Sequence, residues 1–271
     1  MNNYLFILFF GLLLVAAGPL AAQTAPYEPA HFIQGSDTLP YRILYPKNFD
    51  PSTPYPLILV LHGGGERGND NQKQLVHGGA LFQQEAVRSA HPAVVVFPQC
   101  PADSYWSNVQ IDRSKQPLQL EFSTSLSDTT RGMALLQGLV QKLAGLPYID
   151  SLRMYVGGLS MGGMGTLELL RREPNRFAAA FAICGGDAPA NAAAYARVPV
   201  WIFHGEQDSV VPVAHSLAIA EALEAAGANI RLTLYPQVDH NSWEQAFREP
   251  DLLPWLFSKK KEVRHHPKNI K

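Results

Sequence analysis

The sequence predicts a doubly wound α/β fold, in which a mostly parallel sheet carries helices on both faces. Six apolar runs show no polar alternation, which is typical of strands that are buried on both sides. Helical patterns lie between these runs, and strand–helix alternation of this kind favours parallel β–α–β units in one domain. The predicted strands are 55–65 (running into a glycine loop), 93–99, 153–160, 177–186, 198–205 and 230–237.

The segments between the strands are less uniform. Residues 131–143 place apolar side chains on one side of a predicted helix, and an alanine-rich helix is expected to stop at Gly227. Residues 36–46 suggest an antiparallel strand at the edge of the sheet. Residues 100–128 are polar and rich in turn formers, which predicts a surface excursion above the strand ends.

Composition excludes several classes of protein. The chain has 271 residues, of which 46% are hydrophobic and 17% charged, and its formal net charge is −1. This is the composition of a globular domain, and it lacks the basic surface that a nucleic-acid partner requires. The nine histidines are scattered without a zinc-binding spacing. We therefore expect no metal, no cofactor and no nucleic-acid partner.

The two ends of the chain differ from its middle. An apolar run over residues 4–17 is followed by Gly18-Pro19 and is short for a membrane span. It predicts a signal peptide, residues 1–22, cleaved near Ala22–Gln23, with a retained anchor as the alternative. The expected product is secreted or periplasmic, without a stable membrane anchor. Residues 23–258 would form one domain, and the basic residues 259–271 a disordered tail.

The chain has two cysteines, Cys100 and Cys184, and export would permit a disulfide between them. The predicted strands that precede them are not neighbours in the sheet and lie roughly 14 Å apart. A disulfide requires Cα atoms within about 7 Å of each other. We therefore expect two free, buried thiols.

Ser160 lies in a glycine-rich stretch, MYVGGLSMGGMG, between a predicted strand and a predicted helix. Its immediate neighbours give the pattern Gly-x-Ser-x-Gly, in which a sharp strand-to-helix turn exposes a nucleophilic hydroxyl. Small residues at the flanking positions relieve the crowding of such a turn. The alternative is a glycine turn that serves only close packing of the helix on the strand.

A second glycine stretch, LHGGGERG, follows the strand at 55–61. A backbone N–H of Gly63 or Gly64, together with that of Met161, would stabilise an oxyanion next to Ser160. A phosphate-binding loop is disfavoured because the P-loop lysine and its spacing are absent. We expect His62 to support this loop rather than to act as the base.

The remaining catalytic groups are expected after Ser160, in the order acid and then base. Asp208 follows the strand at 198–205 and His240 follows the last strand, so both lie at the carboxyl edge of the sheet. His240 would accept the serine proton while Asp208 holds its tautomer. Asp187 and Asp239 remain open as alternatives for the acid, and His240 remains open as an ordinary surface histidine.

These motifs resemble the α/β-hydrolase superfamily. LHGGGERGNDN, VVVFPQCP, GGLSMGG, HGEQDSVVP and VDHNSW, within residues 55–245, are most similar to exported carboxylesterases of the phospholipase/carboxylesterase, feruloyl esterase and polyhydroxybutyrate depolymerase type, often labelled peptidases. The resemblance implies an α/β-hydrolase fold, a catalytic triad of Ser160, Asp208 and His240, and oxyanion donors at Gly64 and Met161. Segment 100–128 is too short for the lid domain of the lipases.

The resemblance implies a serine esterase acting on polymer-linked or plant cell-wall esters, feruloyl or acetyl. The alternatives are a prolyl-oligopeptidase type of serine peptidase, a polyester depolymerase and a non-catalytic binding protein. The first usually has a propeller domain for which this chain has no room, and the last would have lost a triad residue. Trp106 and Trp243 are candidates for the walls of the substrate site, with plain packing as the alternative for each.

Overall fold

The computed structural model describes residues 27–262. The strands are β1 (Glu28–Gln34), β2 (Asp37–Leu44), β3 (Tyr55–Leu61), β4 (Val94–Pro98), β5 (Val109–Asp112), β6 (Gln119–Phe122), β7 (Ile149–Leu159), β8 (Ala179–Ile183), β9 (Val200–Gly205) and β10 (Ile230–Tyr235). The helices are α1 (Gly79–Gln83), α2 (Glu85–Ala90), α3 (Arg131–Ala144), α4 (Met161–Arg172), α5 (Ala192–Tyr195), α6 (Ala214–Ala225), α7 (Trp243–Ala246) and α8 (Leu252–Phe257).

Within these residues, one sheet contains eight strands in the order β1-β2-β4-β3-β7-β8-β9-β10. In this sheet the pairs β1–β2 and β2–β4 are antiparallel, and all the other pairs are parallel. The carboxyl ends of β3, β7, β8, β9 and β10 therefore point to the same edge of the sheet. The predicted α/β class, with a mostly parallel sheet, is confirmed.

Helices cover both faces of this sheet, and each face has its own hydrophobic core. Alternate residues of β3 enter opposite cores: Leu57 and Leu59 pack on the side of α3, α4 and α6, and Ile58 packs on the side of α1 and α8. All three side chains are buried. The uninterrupted apolar runs in the sequence follow from this two-sided burial.

The predicted edge strand at 36–46 corresponds to β2, and its antiparallel direction is confirmed, but its edge position is wrong. β1 covers β2 and is itself the outermost strand. The side chains of β1 are exposed or half-buried along its length. A strand with so little buried surface has no strong apolar pattern in its sequence, which is why it was missed.

The structure describes part of the predicted C-terminal tail but not the predicted signal peptide. The predicted signal peptide lies outside the described residues. In the predicted tail, the carbonyl of Lys259 accepts a hydrogen bond from the Tyr155 hydroxyl at 2.8 Å, and the N–H of Lys261 donates to Leu152 at 3.0 Å. The backbone of Lys259 and Lys261 therefore contacts β7 of the folded domain. In residues 27–262 no helix combines the length and the apolarity needed to cross a membrane.

Cys100 and Cys184 are both buried and both free, as the sequence predicted. They follow β4 and β8, which are separated in the sheet by β3 and β7. The spacing of parallel strands keeps the two sulfur atoms apart. The two cysteines therefore do not stabilise the fold through a disulfide.

Candidate active site

Ser160 occupies a tight turn between β7 and α4. Its backbone has φ 52° and ψ −117°, a conformation in the positive-φ region that is costly for a residue with a Cβ. The residues two positions before and two positions after Ser160 must be glycines. A Cβ on Gly162 would lie 2.0 Å from the carbonyl oxygen of Leu61, and one on Gly158 would lie 2.6 Å from the carbonyl oxygen of Gly162. The glycines let β3, β7 and α4 approach closely enough to hold the serine at the sheet edge.

Ser160, His240 and Asp208 form a continuous chain of hydrogen bonds. The Ser160 Oγ atom is 3.0 Å from Nε2 of His240, and Nδ1 of His240 is 2.8 Å from Oδ2 of Asp208. A carboxylate can only accept, so Nδ1 carries the ring proton and Nε2 is left to accept the serine proton. The loops after β9 and β10 thus bring together the acid and the base that the sequence predicted.

Four donors fix the Asp208 carboxylate. Oδ1 accepts from the N–H groups of Val210 and Val211 at 2.9 and 2.8 Å, and Oδ2 accepts from His240 at 2.8 Å and from Nε2 of His204 at 3.1 Å. Burial alone would raise the pKa of this carboxyl, but the hydrogen bonds from His204 and His240 outweigh it and hold the pKa well below its usual range. Asp208 is therefore ionised at neutral pH.

His62 holds the glycine loop that faces Ser160. Its Nε2 accepts the N–H of Cys100 at 2.9 Å, so its Nδ1–H donates to the carbonyl of Gly63 at 2.6 Å. That carbonyl and the N–H of Gly64 belong to one trans peptide and point in opposite directions. Burial lowers the pKa of His62 to about 4, so the ring stays neutral at physiological pH. Both ring nitrogens of His62 are therefore engaged by backbone groups that hold the loop.

One predicted oxyanion donor shares the cleft with Ser160, and the other directly follows Ser160 in the chain. Gly64 lines the cleft above the serine. Met161 is the first residue of α4, where backbone N–H groups have no partner inside the helix, and the Ser160 side chain does not cap it. The Met161 side chain is buried in the core, which leaves only its backbone to serve the site.

A cleft of about 510 Å³ opens over Ser160. Its walls are chemically different from one another. Polar and aromatic groups contribute Glu66, Arg67, His77, Tyr105, Arg113 and Trp243, and apolar groups contribute Ile111, Leu118, Leu120, Leu159, Met164, Val210 and Val211. A site of this size and mixed lining is suited to an organic ligand rather than to an ion.

The two tryptophans have different positions. Trp243 lines the cleft, and its ring meets His240 edge to face at 5.4 Å between centroids. Trp106 is fully buried in the core against Gly165, where a Cβ would lie 2.4 Å from the tryptophan Cβ. The prediction that Trp106 forms a wall of the substrate site is therefore wrong, because the side chain has no exposed surface and its ring packs against that of His62, at 5.4 Å between centroids.

The two alternative acids face elsewhere. Asp187 is buried and accepts hydrogen bonds from Asn191 at 2.7 Å and from the Tyr195 hydroxyl at 3.2 Å. Asp239 is exposed and accepts from the N–H and the hydroxyl of Ser209 at 2.7 and 2.8 Å. Neither makes the hydrogen bond to the His240 ring that Asp208 makes.

Sequence reasoning missed His204. In this fully buried residue of β9, Nε2 donates to the carbonyl of Val211 at 2.9 Å and lies 3.1 Å from Oδ2 of Asp208, and Nδ1 is 2.7 Å from the hydroxyl of Ser216. Its only sequence signal was its position four residues before Asp208, inside HGEQD. A histidine at the end of an apolar strand is as typical of the core as of a site.

Cys184 lies beneath the Asp208–His240 pair. Polar atoms of these three residues lie within 4.8 Å of one another, close enough to share a metal ion. Burial and the neighbouring Asp208 charge raise the pKa of the Cys184 thiol, whereas metal binding requires the thiolate. Asp208 and His240 are also already bonded to each other, so the donor set does not favour a metal.

The sheet order and the strand–serine–helix turn, with the acid and base on the loops after the next strands, define an α/β-hydrolase fold. Residues 50–250 match the phospholipase/carboxylesterase family, and the chain belongs to that family.

Three relatives are similar to it. A thermostable esterase of known crystal structure has 31% identity and a TM-score of 0.77, over 87% of this chain and 63% of its own. Esterase YpfH of Escherichia coli (strain K12) is 30% identical over 83 residues, which are 31% of this chain and 36% of that protein. The bifunctional acetylxylan esterase/xylanase XynS20E of Neocallimastix patriciarum is 29% identical over 178 residues, 61% of this chain and 21% of that protein. The chain thus spans less than two thirds of each relative.

Proposed function

We propose that the protein is a serine carboxylesterase that hydrolyses carboxylic esters through an acyl-enzyme. The observation that carries the proposal is the hydrogen-bonded series Ser160–His240–Asp208, with distances of 3.0 and 2.8 Å. Membership of the phospholipase/carboxylesterase family supports it. The mixed lining of the cleft above Ser160 also favours an organic ester as substrate.

In the first half of the reaction, the Ser160 Oγ attacks the ester carbonyl while His240 Nε2 takes the serine proton. Asp208 stabilises the imidazolium that results. The carbonyl oxygen becomes negatively charged and accepts hydrogen bonds from the N–H groups of Gly64 and Met161. Collapse of this intermediate breaks the ester C–O bond, and His240 gives its proton to the departing alcohol.

The second half repeats these steps with water. His240 removes a proton from a water molecule, which attacks the acyl group on Ser160. The same two N–H groups stabilise the second oxyanion. When it collapses, the acid leaves and His240 returns the proton to Ser160. No atom other than those of the ester and one water is consumed, so the site requires no cofactor.

Within this activity, we favour polymer-linked or plant cell-wall esters, feruloyl or acetyl, as substrates. The named activity of the acetylxylan esterase/xylanase relative supports this choice, as does an open cleft with Trp243 on its wall. An exported enzyme would meet such substrates, and we propose export through the signal peptide expected at residues 1–22.

The test is a hydrolysis panel with purified residues 23–271: p-nitrophenyl acetate and octanoate, methyl ferulate, acetylated xylan and an alanyl-proline anilide. Ser160→Ala is compared with Ser52→Ala, which removes an exposed hydroxyl distant in sequence from the site. We expect ester turnover that Ser160→Ala abolishes and Ser52→Ala leaves unchanged.

Other outcomes of the panel point elsewhere. Faster cleavage of the anilide than of the esters would indicate a peptidase. Folded protein that turns over nothing would contradict the proposal and favour a binding protein. Preference for p-nitrophenyl octanoate with no activity on methyl ferulate or acetylated xylan would retain the esterase but remove the cell-wall substrates.

A further inference from the structure

The hairpin formed by β5 and β6 covers one side of the cleft. Four residue pairs join its strands, from Val109–Phe122 to Asp112–Gln119. The hairpin is also tied to the loop that carries Asp208: the N–H of Leu118 donates to the carbonyl of Val210 at 3.1 Å, and the Gln116 amide donates to the carbonyl of Ser209 at 2.8 Å. Its position is therefore fixed relative to the triad.

The inner face of this hairpin is mostly apolar, although its turn residue Arg113 also lines the cleft. Strand alternation in β5 half-buries Val109 and Ile111 and exposes Gln110 and Asp112. Together with Met164, one turn beyond Ser160 in α4, the hairpin and the Asp208 loop build a separate small core. Six of these side chains form a continuous apolar wall of the cleft: Ile111, Leu118, Leu120, Met164, Val210 and Val211.

The other side of the cleft is polar and aromatic. Trp243 packs against the His240 ring and, at 5.0 Å between centroids, against His77. The His77 Nε2 lies 3.8 Å from a carboxylate oxygen of Glu66, at the end of the glycine loop. Glu66, His77 and Trp243 thus form a polar wall, which is continuous with His240 through the Trp243 ring.

The chemistry assigns a direction to an ester bound between these walls. The leaving oxygen must lie within hydrogen-bonding distance of His240 Nε2, which protonates it, so the alcohol extends along the polar wall that begins at Trp243. The acyl group then extends from Ser160 toward Met164 and the hairpin. Burial of each methylene against the apolar wall stabilises the bound acyl group.

We propose that the β5–β6 hairpin is the acyl-binding wall and that it selects esters with an extended apolar acyl group over acetyl esters, so that of the two cell-wall acyl groups named above it favours feruloyl. The inference rests on the proposed esterase function and names its acyl specificity. An acetyl group offers only one methyl group to this wall. A longer chain displaces water from Ile111 and Leu118, so the preference is set by the hairpin and not by the triad.

Two isomeric esters separate the acyl side from the alcohol side. Ethyl hexanoate and hexyl acetate have the same atoms and differ in which side of the ester bond carries the long chain. Ethyl acetate is the short reference. Acid release by each is measured for the wild type, Ile111→Ala and Leu118→Ala, with Gln110→Ala as the matched control on the outer face of the same strand.

We expect the wild type to prefer ethyl hexanoate to hexyl acetate. Ile111→Ala and Leu118→Ala should each lower kcat/KM for ethyl hexanoate by about 10-fold. Both should leave hexyl acetate and ethyl acetate within about 2-fold of the wild type, which also shows that the variants are folded. Gln110→Ala should change none of the three rates.

If Ile111→Ala and Leu118→Ala lowered kcat/KM for hexyl acetate rather than for ethyl hexanoate, the proposal would be overturned, because the hairpin would then contact the alcohol. An equal loss on all three esters would also overturn it, because the hairpin would then act only on the stability or geometry of the site. Wild-type protein that is folded and hydrolyses none of the three would overturn the esterase function itself, and this inference with it.

Discussion

The Nε2 atom of His204 lies 3.1 Å from Oδ2 of Asp208 and shares its proton between that oxygen and the carbonyl of Val211 at 2.9 Å, and the same Oδ2 accepts from His240 at 2.8 Å. Asp208 is thus held between two histidines, one in the cleft and one in the core. His204 touches no reacting atom, so we treat it as a positioning residue for the carboxylate. Its removal leaves Asp208 with one donor fewer and Ser216 with one partner fewer.

Replacement of His204 by leucine should lower kcat about 10-fold with little change in KM, because a hydrogen bond to a charged group is worth about 1.5–3 kcal/mol. His204→Gln, which places an amide donor near the position of Nε2, should recover part of the loss. The decisive readout is rescue: a kcat that His204→Gln restores toward the wild type, with KM unchanged in both variants, supports the positioning role. Equal losses of kcat in the leucine and glutamine variants would contradict it.

Asp208 and Asp187 provide a matched pair, since both follow a strand and both are buried. Asp208→Asn should lower kcat by roughly 10,000-fold, because the histidine loses the acceptor that holds its reactive tautomer. Asp187→Asn should lower kcat by less than about 10-fold, as an indirect effect of repacking. Steady-state rates on p-nitrophenyl acetate are sufficient. Equal losses in the two variants would mean that the acid has been wrongly chosen.

The stability of the protein should depend on the titration of Asp187. Burial raises its pKa to about 6, and hydrogen bonds from Asn191 and Ala188 oppose this only partly. Between pH 4 and 6 the unfolded chain therefore loses this proton before the folded protein does. Asp187 lowers the free energy of unfolding as pH rises through that window, by about 3 kcal/mol at most.

The measurement is the free energy of unfolding in urea, from pH 4 to pH 7, for the wild type and Asp187→Asn. Subtraction of the two curves removes the contribution of groups that both proteins share. The wild-type value should fall relative to the variant up to about pH 6 and then level off. If the difference in free energy of unfolding between the two proteins were independent of pH, the pKa of Asp187 would not be raised in the folded state.

Gly162 and Gly64 are predicted to respond differently to the same substitution. A Cβ on Gly162 meets the backbone of Leu61 at 2.0 Å, whereas a Cβ on Gly64 meets no atom within 4 Å. Gly162→Ala should lower the free energy of unfolding by about 3 kcal/mol or more. Gly64→Ala should stay within about 0.5 kcal/mol of the wild type. Urea unfolding of both proteins checks this, and equal stabilities would contradict the close approach of α4 to β3.

The two tryptophans are predicted to affect different quantities. Trp106→Ala should lower the free energy of unfolding by about 3–5 kcal/mol, the usual range for a large core side chain. Trp243→Ala should affect stability less and should raise KM for p-nitrophenyl esters, whose aromatic alcohol lies beside it. Unfolding curves and KM values are compared for both variants. If Trp106→Ala changed KM but left the stability unchanged, Trp106 would contact the substrate in the cleft rather than pack in the core.

Sequence patterns predicted the features that local rules control. The turn around Ser160 requires glycines, and Asp208 and His240 follow strands whose carboxyl ends share an edge, so order along the chain was enough to group them. Trp106 and His204 could not be placed in this way. Whether an aromatic ring in a polar segment faces a cleft or a core, and whether a strand histidine bonds a carboxylate, depends on which elements pack against it.

The same limit applies to the hairpin and to β1. Segment 100–128 was expected to lie above the strand ends, but its two short strands alternate over only four residues each, too few to predict a hairpin with an apolar inner face. β1 has little buried surface and therefore little pattern. Both are defined by their tertiary contacts, with the Asp208 loop in one case and with β2 in the other.

The most direct test of the central claim is covalent labelling of the wild type with a fluorophosphonate probe, followed by peptide mapping. We predict that a single equivalent attaches to the peptide that contains Ser160. Labelling should be lost in Ser160→Ala and strongly slowed in His240→Ala, because only a serine whose proton His240 can accept reacts at neutral pH. Label on another residue, or none on the folded wild type, would contradict the account.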